Sequence, residues 1–147
     1  MEWLNTPAIP FRRTHLFNFK YKQDQTDVVE LTRSAIETEL SRRGFAKGDV
    51  ALVSVELNKF YNRFKTGFWS GDSIAEIVLG VQVKNRGGTI LFNKNILAEG
   101  VEPNIQVAAG HNAKASLERA LWRAVQDLFE DPLFVPSLFK AAGVAAP

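Results

Sequence analysis

An alternating segment followed by a tight turn constrains the possible folds of this chain most. Over residues 75–84, apolar residues occupy every second position, and most positions between them hold polar residues or glycine. This period of two is typical of a β-strand with one buried face. The next residues, Asn85-Arg86-Gly87-Gly88, include types that tolerate positive φ and favour a tight turn. The sequence therefore predicts an antiparallel hairpin whose returning strand covers residues 89–100.

Two further strands and a helix are predicted upstream of the hairpin. Residues 16–22 carry aromatic side chains at alternate positions, and residues 50–60 place apolar side chains at every second position from Ala51. Between them, Asp27 and Glu30 have the spacing of a capping box, in which each side chain satisfies a free amide of the first helical turn. Apolar residues then recur at helical spacing towards Gly44, a residue type that favours the left-handed conformation found at helix ends. These elements predict a β-α-β unit.

The C-terminal third is predicted to be a long loop followed by two helices. Residues 101–111 contain Pro103, Gly110 and several small residues, and they lack a helical stripe. Asn112 is a suitable N-cap for a helix whose apolar stripe covers residues 117–128. Asp131 and Pro132 are suited to the N-cap and first position of a shorter helix.

Together these elements predict a single α+β domain in the order β-α-β-β-β-α-α. Its sheet is expected to be mixed, with about four strands, and to be packed by two main helices. The domain is expected at residues 14–142, after an extended arm at 1–13 and before a frayed end at 143–147. The length of 147 residues suits this organisation, since single domains commonly have about 100–150 residues.

The composition excludes several classes of function. Hydrophobic residues make up 46% and charged residues 23% of the chain, which is typical of a folded globular protein. The formal net charge of +2 is too small to indicate nucleic-acid binding by itself. The sequence contains no cysteine, so it offers no disulfide, thiolate nucleophile or cysteine zinc site. Its acidic residues are scattered, and its glycine-rich turns match no phosphate-binding loop, so no metal or cofactor is expected.

Catalytic chemistry has little support in the sequence. The two histidines, His15 and His111, lie in no motif that would pair them with a nucleophile. We interpret both as structural residues, and we predict no catalytic residue and no enzymatic activity. An enzyme would instead require carboxylates such as Glu76 or Glu99 to meet in a pocket.

An aromatic and basic segment at residues 60–72 is the main candidate for a binding site. It joins two predicted strands and is interpreted as a long loop that lies next to the loop at 101–111, because the turn at 85–88 occupies the other end of the sheet. Long loops on a rigid scaffold often carry binding surfaces. In the alternative interpretation, the aromatic side chains fold inward and close the end of the core. The candidate partner-binding residues are Phe60, Tyr61, Arg63, Phe64, Lys65, Phe68 and Trp69.

Several stretches spread over residues 28–141 form a pattern that covers the whole domain. They are Leu40-Ser41-Arg42-Arg43-Gly44-Phe45, Phe60-Tyr61-Asn62, Gly67-Phe68-Trp69-Ser70-Gly71-Asp72, Gly88-Thr89-Ile90-Leu91-Phe92, Gly100-Val101-Glu102-Pro103-Asn104-Ile105-Gln106 and Asn112-Ala113-Lys114-Ala115-Ser116-Leu117-Glu118-Arg119-Ala120-Leu121, followed by Asp131-Pro132. This pattern resembles the YajG-like bacterial lipoproteins. The resemblance carries no catalytic signature.

The resemblance implies a periplasmic domain tethered to the outer membrane by a lipidated cysteine that follows a signal peptide. The sequence as given has neither a signal peptide nor a lipobox cysteine, so a cytoplasmic location is the alternative. We expect contact with the membrane only through such a lipid anchor.

The leading hypothesis is a non-enzymatic envelope domain that binds a macromolecular partner or an amphipathic envelope component through residues 60–72. The alternative hypothesis is a small nucleic-acid-binding module that uses the same aromatic side chains together with Lys59, Arg63 and Lys65.

Overall fold

The computed structural model describes residues 17–21, 26–46, 48, 50–66, 71–105 and 110–143, and it describes side chains for 29–46, 48, 50–65, 71–103 and 114–143. The predicted arm at 1–13 and residues 144–147 lie outside the described residues. The strands are β1 (Phe17–Tyr21), β2 (Ala51–Thr66), β3 (Gly71–Asn85) and β4 (Ile90–Ile105), and the helices are α1 (Thr26–Arg42), α2 (Gly110–Glu130) and α3 (Phe134–Ala141).

Three long strands, β2, β3 and β4, form an antiparallel sheet with β3 in the centre. With the three helices, this sheet confirms the predicted α+β class. The short strand β1 pairs in parallel with the first part of β2, from Phe17 opposite Val53 to Tyr21 opposite Leu57. The predicted hairpin turn is also confirmed, because Gly88 has φ 85° and its amide donates to the carbonyl of Asn85 at 3.0 Å.

All three helices pack on the same face of the sheet. Buried side chains of α1, α2 and α3 form one cluster with the alternate side chains of β2, β3 and β4 that point towards them. The aromatic contacts join the layers, since the ring of Phe134 in α3 lies 5.4 Å from Phe92 of β4 and 5.2 Å from Phe129 of α2. Burial of this apolar face supplies the main driving force for the fold, at roughly 25 cal/mol per Å² of apolar area removed from water. We call the opposite face of the sheet the outer face.

Helix α2 approaches β4 most closely at Gly100. A Cβ atom on Gly100 would lie 2.1 Å from the carbonyl oxygen of Ser116 and 2.3 Å from the amide nitrogen of Ala120. Only glycine allows the helix backbone to approach the strand this closely. Gly100 therefore sets the distance between α2 and the sheet.

The helix ends agree only partly with the sequence-based expectations. The end of α1 is as predicted, because Gly44 adopts φ 89° and the amide of Phe45 returns to the carbonyl of Leu40 at 3.0 Å. Helix α2 begins at Gly110 rather than after an N-cap at Asn112.

The prediction of an N-cap at Asp131 is wrong, since α3 begins at Phe134 and its N-cap is Leu133. The Asp131 carboxylate instead accepts a hydrogen bond from the amide of Leu133 at 2.9 Å, and the Asp131 carbonyl accepts one from the amide of Phe134 at 3.2 Å. These bonds form a turn that precedes the helix.

The predicted loop at 60–72 is mostly strand and the one at 101–111 begins as strand, so this prediction is corrected. Strand β2 continues to Thr66 and β3 begins at Gly71, which leaves only residues 67–70 of the segment at 60–72 outside the described strands. Strand β4 likewise continues to Ile105. The two segments are neighbours as expected, but as paired strands, with Ser73 opposite Glu102. In the first segment, a β-bulge in β2 shifts the alternation of side chains, so the strand pattern is hard to recognise in the sequence.

Candidate binding site on the extension of strand β2

A bulge divides β2 into two parts with different side-chain phases. Leu57 pairs with Leu79 and Lys59 with Val78, so Asn58 is an extra residue without a partner in β3. An extra residue reverses which alternate positions face the core. The side chain of Asn58 crosses over Gly80 and donates to Asn95 at 3.4 Å, and a Cβ atom on Gly80 would lie 2.7 Å from the Asn58 amide nitrogen. We call residues 59–66, which follow the bulge, the β2 extension.

The even-numbered residues of the β2 extension point towards the helices. Phe60 is half-buried and packs against the main core cluster. The ring of Phe64 packs over Gly71, because a Cβ atom on Gly71 would lie 2.7 Å from the ring's Cζ atom. Phe64 remains 37% exposed at the end of the sheet.

Asn62 links the β2 extension to α2 through a buried polar cluster. Its side-chain amide lies 2.9 Å from the hydroxyl of Ser73 and 2.8 Å from the hydroxyl of Ser116, and the two hydroxyls lie 2.9 Å apart. Ser73 and Ser116 are buried. Because buried polar groups are costly without partners, this cluster favours one register of β2, β3 and α2 over others.

The odd-numbered residues of the β2 extension point to the outer face. They are Lys59, Tyr61, Arg63 and Lys65, and all four are exposed. The side chain of Tyr61 is 49% exposed, which is a large exposed fraction for an aromatic residue in a β-strand. Basic side chains therefore flank an accessible aromatic ring on one surface.

Lys59 and Glu76 fix the electrostatics next to Tyr61. The Lys59 ammonium lies 2.5 Å from the Glu76 carboxylate and 5.9 Å from the centre of the Tyr61 ring. The hydrogen bond from Lys59, followed by its positive charge, holds the pKa of Glu76 below its ordinary value of 4.5. Glu76 is therefore ionised at neutral pH, and it cannot act there as a proton donor.

Arg63 and Lys65 are cations without a salt bridge to any described acidic side chain. In the part of the chain for which side chains are described, neither guanidinium nor ammonium forms an ion pair. Arg63 contributes only a weaker long-range lowering of the Glu76 pKa. These two side chains are available to a negatively charged group from outside.

Apolar pairs on the outer face lie beside these charges. Val78 is opposite Leu97, which is 65% exposed, and Ile74 is opposite Val101, which is 36% exposed. Cross-strand apolar pairs of this kind stabilise a sheet, and here Leu97 and Val101 leave apolar surface in contact with water, whereas Ile74 is buried. The outer face thus combines cations, an aromatic ring and two aliphatic pairs.

The carboxylates considered for catalysis are brought together, but not in a pocket. Glu76 and Glu99 are directly opposite each other on β3 and β4, on the open outer face, where Glu99 is exposed. Water reaches both side chains, and Lys59 neutralises one of them. An exposed strand surface does not supply the enclosed environment that usually tunes an acid and base pair.

The candidate residues chosen from the sequence divide between two faces. Tyr61, Arg63 and Lys65 come together on the outer face, whereas Phe60 and Phe64 lie on the helical face. Phe68 and Trp69 lie outside the described residues. The inward interpretation of the aromatics therefore applies to Phe60, and the exposed interpretation applies to Tyr61.

Sequence reasoning missed the contribution of β3 and β4 to this surface. Val78 and Leu97 alternate with core residues along the predicted strands, so the period of two assigns them to the face opposite the core, whereas Val101 falls in the predicted loop at 101–111. What the sequence could not supply is that all helices cover the same face. That arrangement leaves these apolar side chains exposed.

The described residues were also compared with the requirements of a metal site and of a membrane-spanning helix. Among the described residues, no group of His, Cys, Asp and Glu side chains is arranged to hold a metal ion. Within those same segments, every helix is too short or too polar to cross a membrane. The side chains of His15 and His111 lie outside the described part of the chain.

The fold resembles those of solved lipoprotein structures. A candidate lipoprotein from Caulobacter crescentus has a TM-score of 0.54 at 12% sequence identity, over 87% of this chain and 91% of that chain. A minor lipoprotein from Acinetobacter baumannii has a TM-score of 0.49 at 11% identity, over 86% of this chain and 92% of that chain. The Caulobacter structure shows a shared fold. Among curated proteins, no sequence match is found.

The fold and the sequence pattern together define an α+β lipoprotein domain. The chain belongs to the family of uncharacterized lipoproteins, whose sequence pattern it matches over residues 22–135, well over half of its length. The resemblance to YajG-like lipoproteins is thereby confirmed. Membership of this family associates the chain with the cell envelope.

Proposed function

We propose that this chain is a non-enzymatic domain on the periplasmic side of the outer membrane that binds a macromolecular partner through the β2 extension. The observation that supports this proposal is the uneven covering of the sheet. All three helices pack on one face, whereas the outer face presents Tyr61 between basic side chains. A folded domain that leaves an aromatic ring and aliphatic side chains such as Leu97 in water has a surface suited to association.

The residue types on the outer face suit a protein partner. Tyrosine and arginine are enriched among residues that contribute most to protein interfaces, because each combines a large contact area with directed hydrogen bonds. Tyr61 and Arg63 are separated by one residue and share a face. Leu97 and Val101 extend the apolar area onto β4.

The alternative of a nucleic-acid-binding module has weaker support. Stacking of bases on aromatic rings requires a basic groove that follows the phosphate backbone. On the outer face, Asp72, Glu76 and Glu99 lie close to the cations of the β2 extension. These carboxylates interrupt the row of cations, so no continuous basic groove follows the β2 extension, and we favour a protein partner.

A photo-crosslinking experiment tests the proposal with a matched internal control. A benzoylphenylalanine residue is placed at Tyr61 or at Trp122, which are aromatic residues of similar exposure, at 49% and 51%, on opposite sides of the molecule. The protein is expressed from its own gene and irradiated in cells. We expect a discrete adduct from the Tyr61 position and none of that mass from the Trp122 position.

Two outcomes would contradict the proposal. Adducts of equal yield from both positions would indicate contact without a preferred face, and an adduct from Trp122 alone would move the site to the helices. Adducts of lipid mass at Tyr61 would support the amphipathic envelope component in place of a protein. Circular dichroism of both purified variants controls for loss of the fold.

A further inference from the structure

Among the described residues, the β2 extension has one edge that no other strand pairs with. Strand β1 pairs with β2 only as far as Leu57, whereas β2 continues to Thr66. Beyond the bulge, β3 occupies one side of the extension, and no other described segment pairs with the opposite side. Because backbone groups alternate along a strand, every second residue of the extension directs its amide and carbonyl away from β3.

The other edge at the same end of the sheet is protected. Strand β4 is the last strand there, and Arg119 of α2 donates to the carbonyl of Val101 at 2.6 Å. Pro103 follows on β4 and has no amide to offer. Proline and covering side chains are common means of preventing strand pairing at an edge. In the described part of the chain the β2 extension has neither, so we take it as the edge open to an added strand.

Charge disfavours a second copy of this chain as the occupant. If two β2 extensions paired antiparallel about Asn62, Lys59 would be opposite Lys65 of the other copy, and Arg63 would lie beside Tyr61. Moving the register by two residues in either direction places a lysine opposite an arginine, or Arg63 opposite itself. Like charges directly opposite each other destabilise a sheet.

The same charges favour an acidic partner. An added strand would place alternate side chains on the outer face, next to Arg63 and Lys65, which have no acidic partner among the described side chains. Its remaining side chains would lie on the helical face, next to Phe60 and Phe64. The complementary segment therefore alternates acidic and apolar residues.

We propose that the β2 extension binds an extended polypeptide segment of alternating acidic and apolar residues by strand addition along its free edge. Main-chain hydrogen bonds hold the segment, and the two cations select its acidic side. This inference rests on the proposed function, since it names the partner chemistry and binding mode of the same site.

The probe is a fluorescein-labelled peptide of four Glu-Val repeats with blocked termini. It is compared with a Lys-Val peptide of the same length and with a Glu-Val peptide in which every amide nitrogen is methylated, and binding is measured by fluorescence anisotropy. The variant R63E/K65E is compared with R123E/K140E, which changes the net charge equally at exposed positions on the helices.

We expect the Glu-Val peptide to bind and the other two peptides to fail. The R63E/K65E variant should bind at least about tenfold more weakly, whereas R123E/K140E should stay within about twofold of the unmodified chain. Equal binding of the methylated peptide would overturn strand addition, and equal weakening by both variants would overturn the selective role of the two cations. Absence of Glu-Val binding would overturn the inference, as would binding of single-stranded nucleic acid in its place.

The crosslinking result separates the two proposals. If the Tyr61 position forms its adduct but the peptide does not bind, strand addition is wrong and the proposed function stands. If the Tyr61 position forms no adduct while the peptide binds, the edge accepts strands but the proposed envelope function is wrong.

Discussion

At the scale of single residues, the contact between Lys94 and Asp131 joins β4 to the start of α3. The Lys94 ammonium pairs with the Asp131 carboxylate, whose side chain is 5% exposed. The hydrogen bond from Lys94, and then the amide of Leu133, hold the pKa of Asp131 below its ordinary value of 3.8. A carboxyl with a lowered pKa stabilises the folded state above its ordinary pKa, and this contribution is lost as the pH falls through the folded-state value.

We therefore predict a pH-dependent cost for D131N. At neutral pH the variant should lose about 1 kcal/mol of unfolding free energy, at the lower end for a charged hydrogen bond because Lys94 is half exposed. The difference from the unmodified chain should shrink as the pH falls below about 4, where the unfolded carboxyl becomes protonated. Urea denaturation across this pH range measures both values. In a K94M background most of the pH-dependent difference should disappear, and its persistence would assign the effect to another group.

At the scale of elements, Gly100 determines how closely α2 packs on the sheet. We predict that G100A loses at least about 2 kcal/mol of unfolding free energy, because its Cβ atom would meet the α2 backbone at 2.1 and 2.3 Å. The matched control is G87A in the hairpin turn, whose nearest neighbour would be the Asn85 side-chain oxygen at 3.4 Å. It should stay within about 0.5 kcal/mol of the unmodified chain. Equal losses in the two variants, measured by thermal unfolding, would show that the close approach is not the cause.

The hairpin of β3 and β4 could be predicted from the sequence, whereas the bulge in β2 could not. The period of two in β3 and the turn residues before β4 led to the correct hairpin, because each signal is local. The segment at 60–72 is predicted as a loop, because the alternation of apolar residues that starts at Ala51 does not continue there at the same positions. Before the bulge the odd positions from Ala51 face the core, and after it the even positions Phe60 and Phe64 face the helices. In a strand without the bulge, Tyr61 and Lys65 would point into the core. A buried lysine makes such a regular strand unfavourable.

The composition of the binding surface depends on contacts that sequence patterns do not encode. Tyr61, Arg63 and Lys65 lie on one face, because side chains alternate once the segment is recognised as a strand. Their neighbours Leu97 and Val101 belong to another strand, and their exposure depends on all helices packing on the far side. That choice of face is a tertiary property, because each strand alone could be covered on either side.

At the scale of the whole molecule, the two faces of the sheet have separate roles. The helical face contains the core and the Asn62 cluster, and it holds the strands in register. The partner site that we propose lies on the outer face and on the edge of the β2 extension that no described segment pairs with. This division lets the binding surface vary in its charges while the core is unchanged, as expected for functional residues carried on a rigid scaffold.

The most direct test of this account is residue-resolved amide hydrogen exchange over the β2 extension in the free protein. If residues 59–66 form a strand with one free edge, protected amides bonded to β3 should alternate with fast-exchanging amides that face away from it. Residues 53–57, which have β1 on one side and β3 on the other, should be protected without alternation. Uniformly fast exchange over 59–66 would indicate a loop, and uniform protection would show that the edge is already covered; either result would contradict the proposed site.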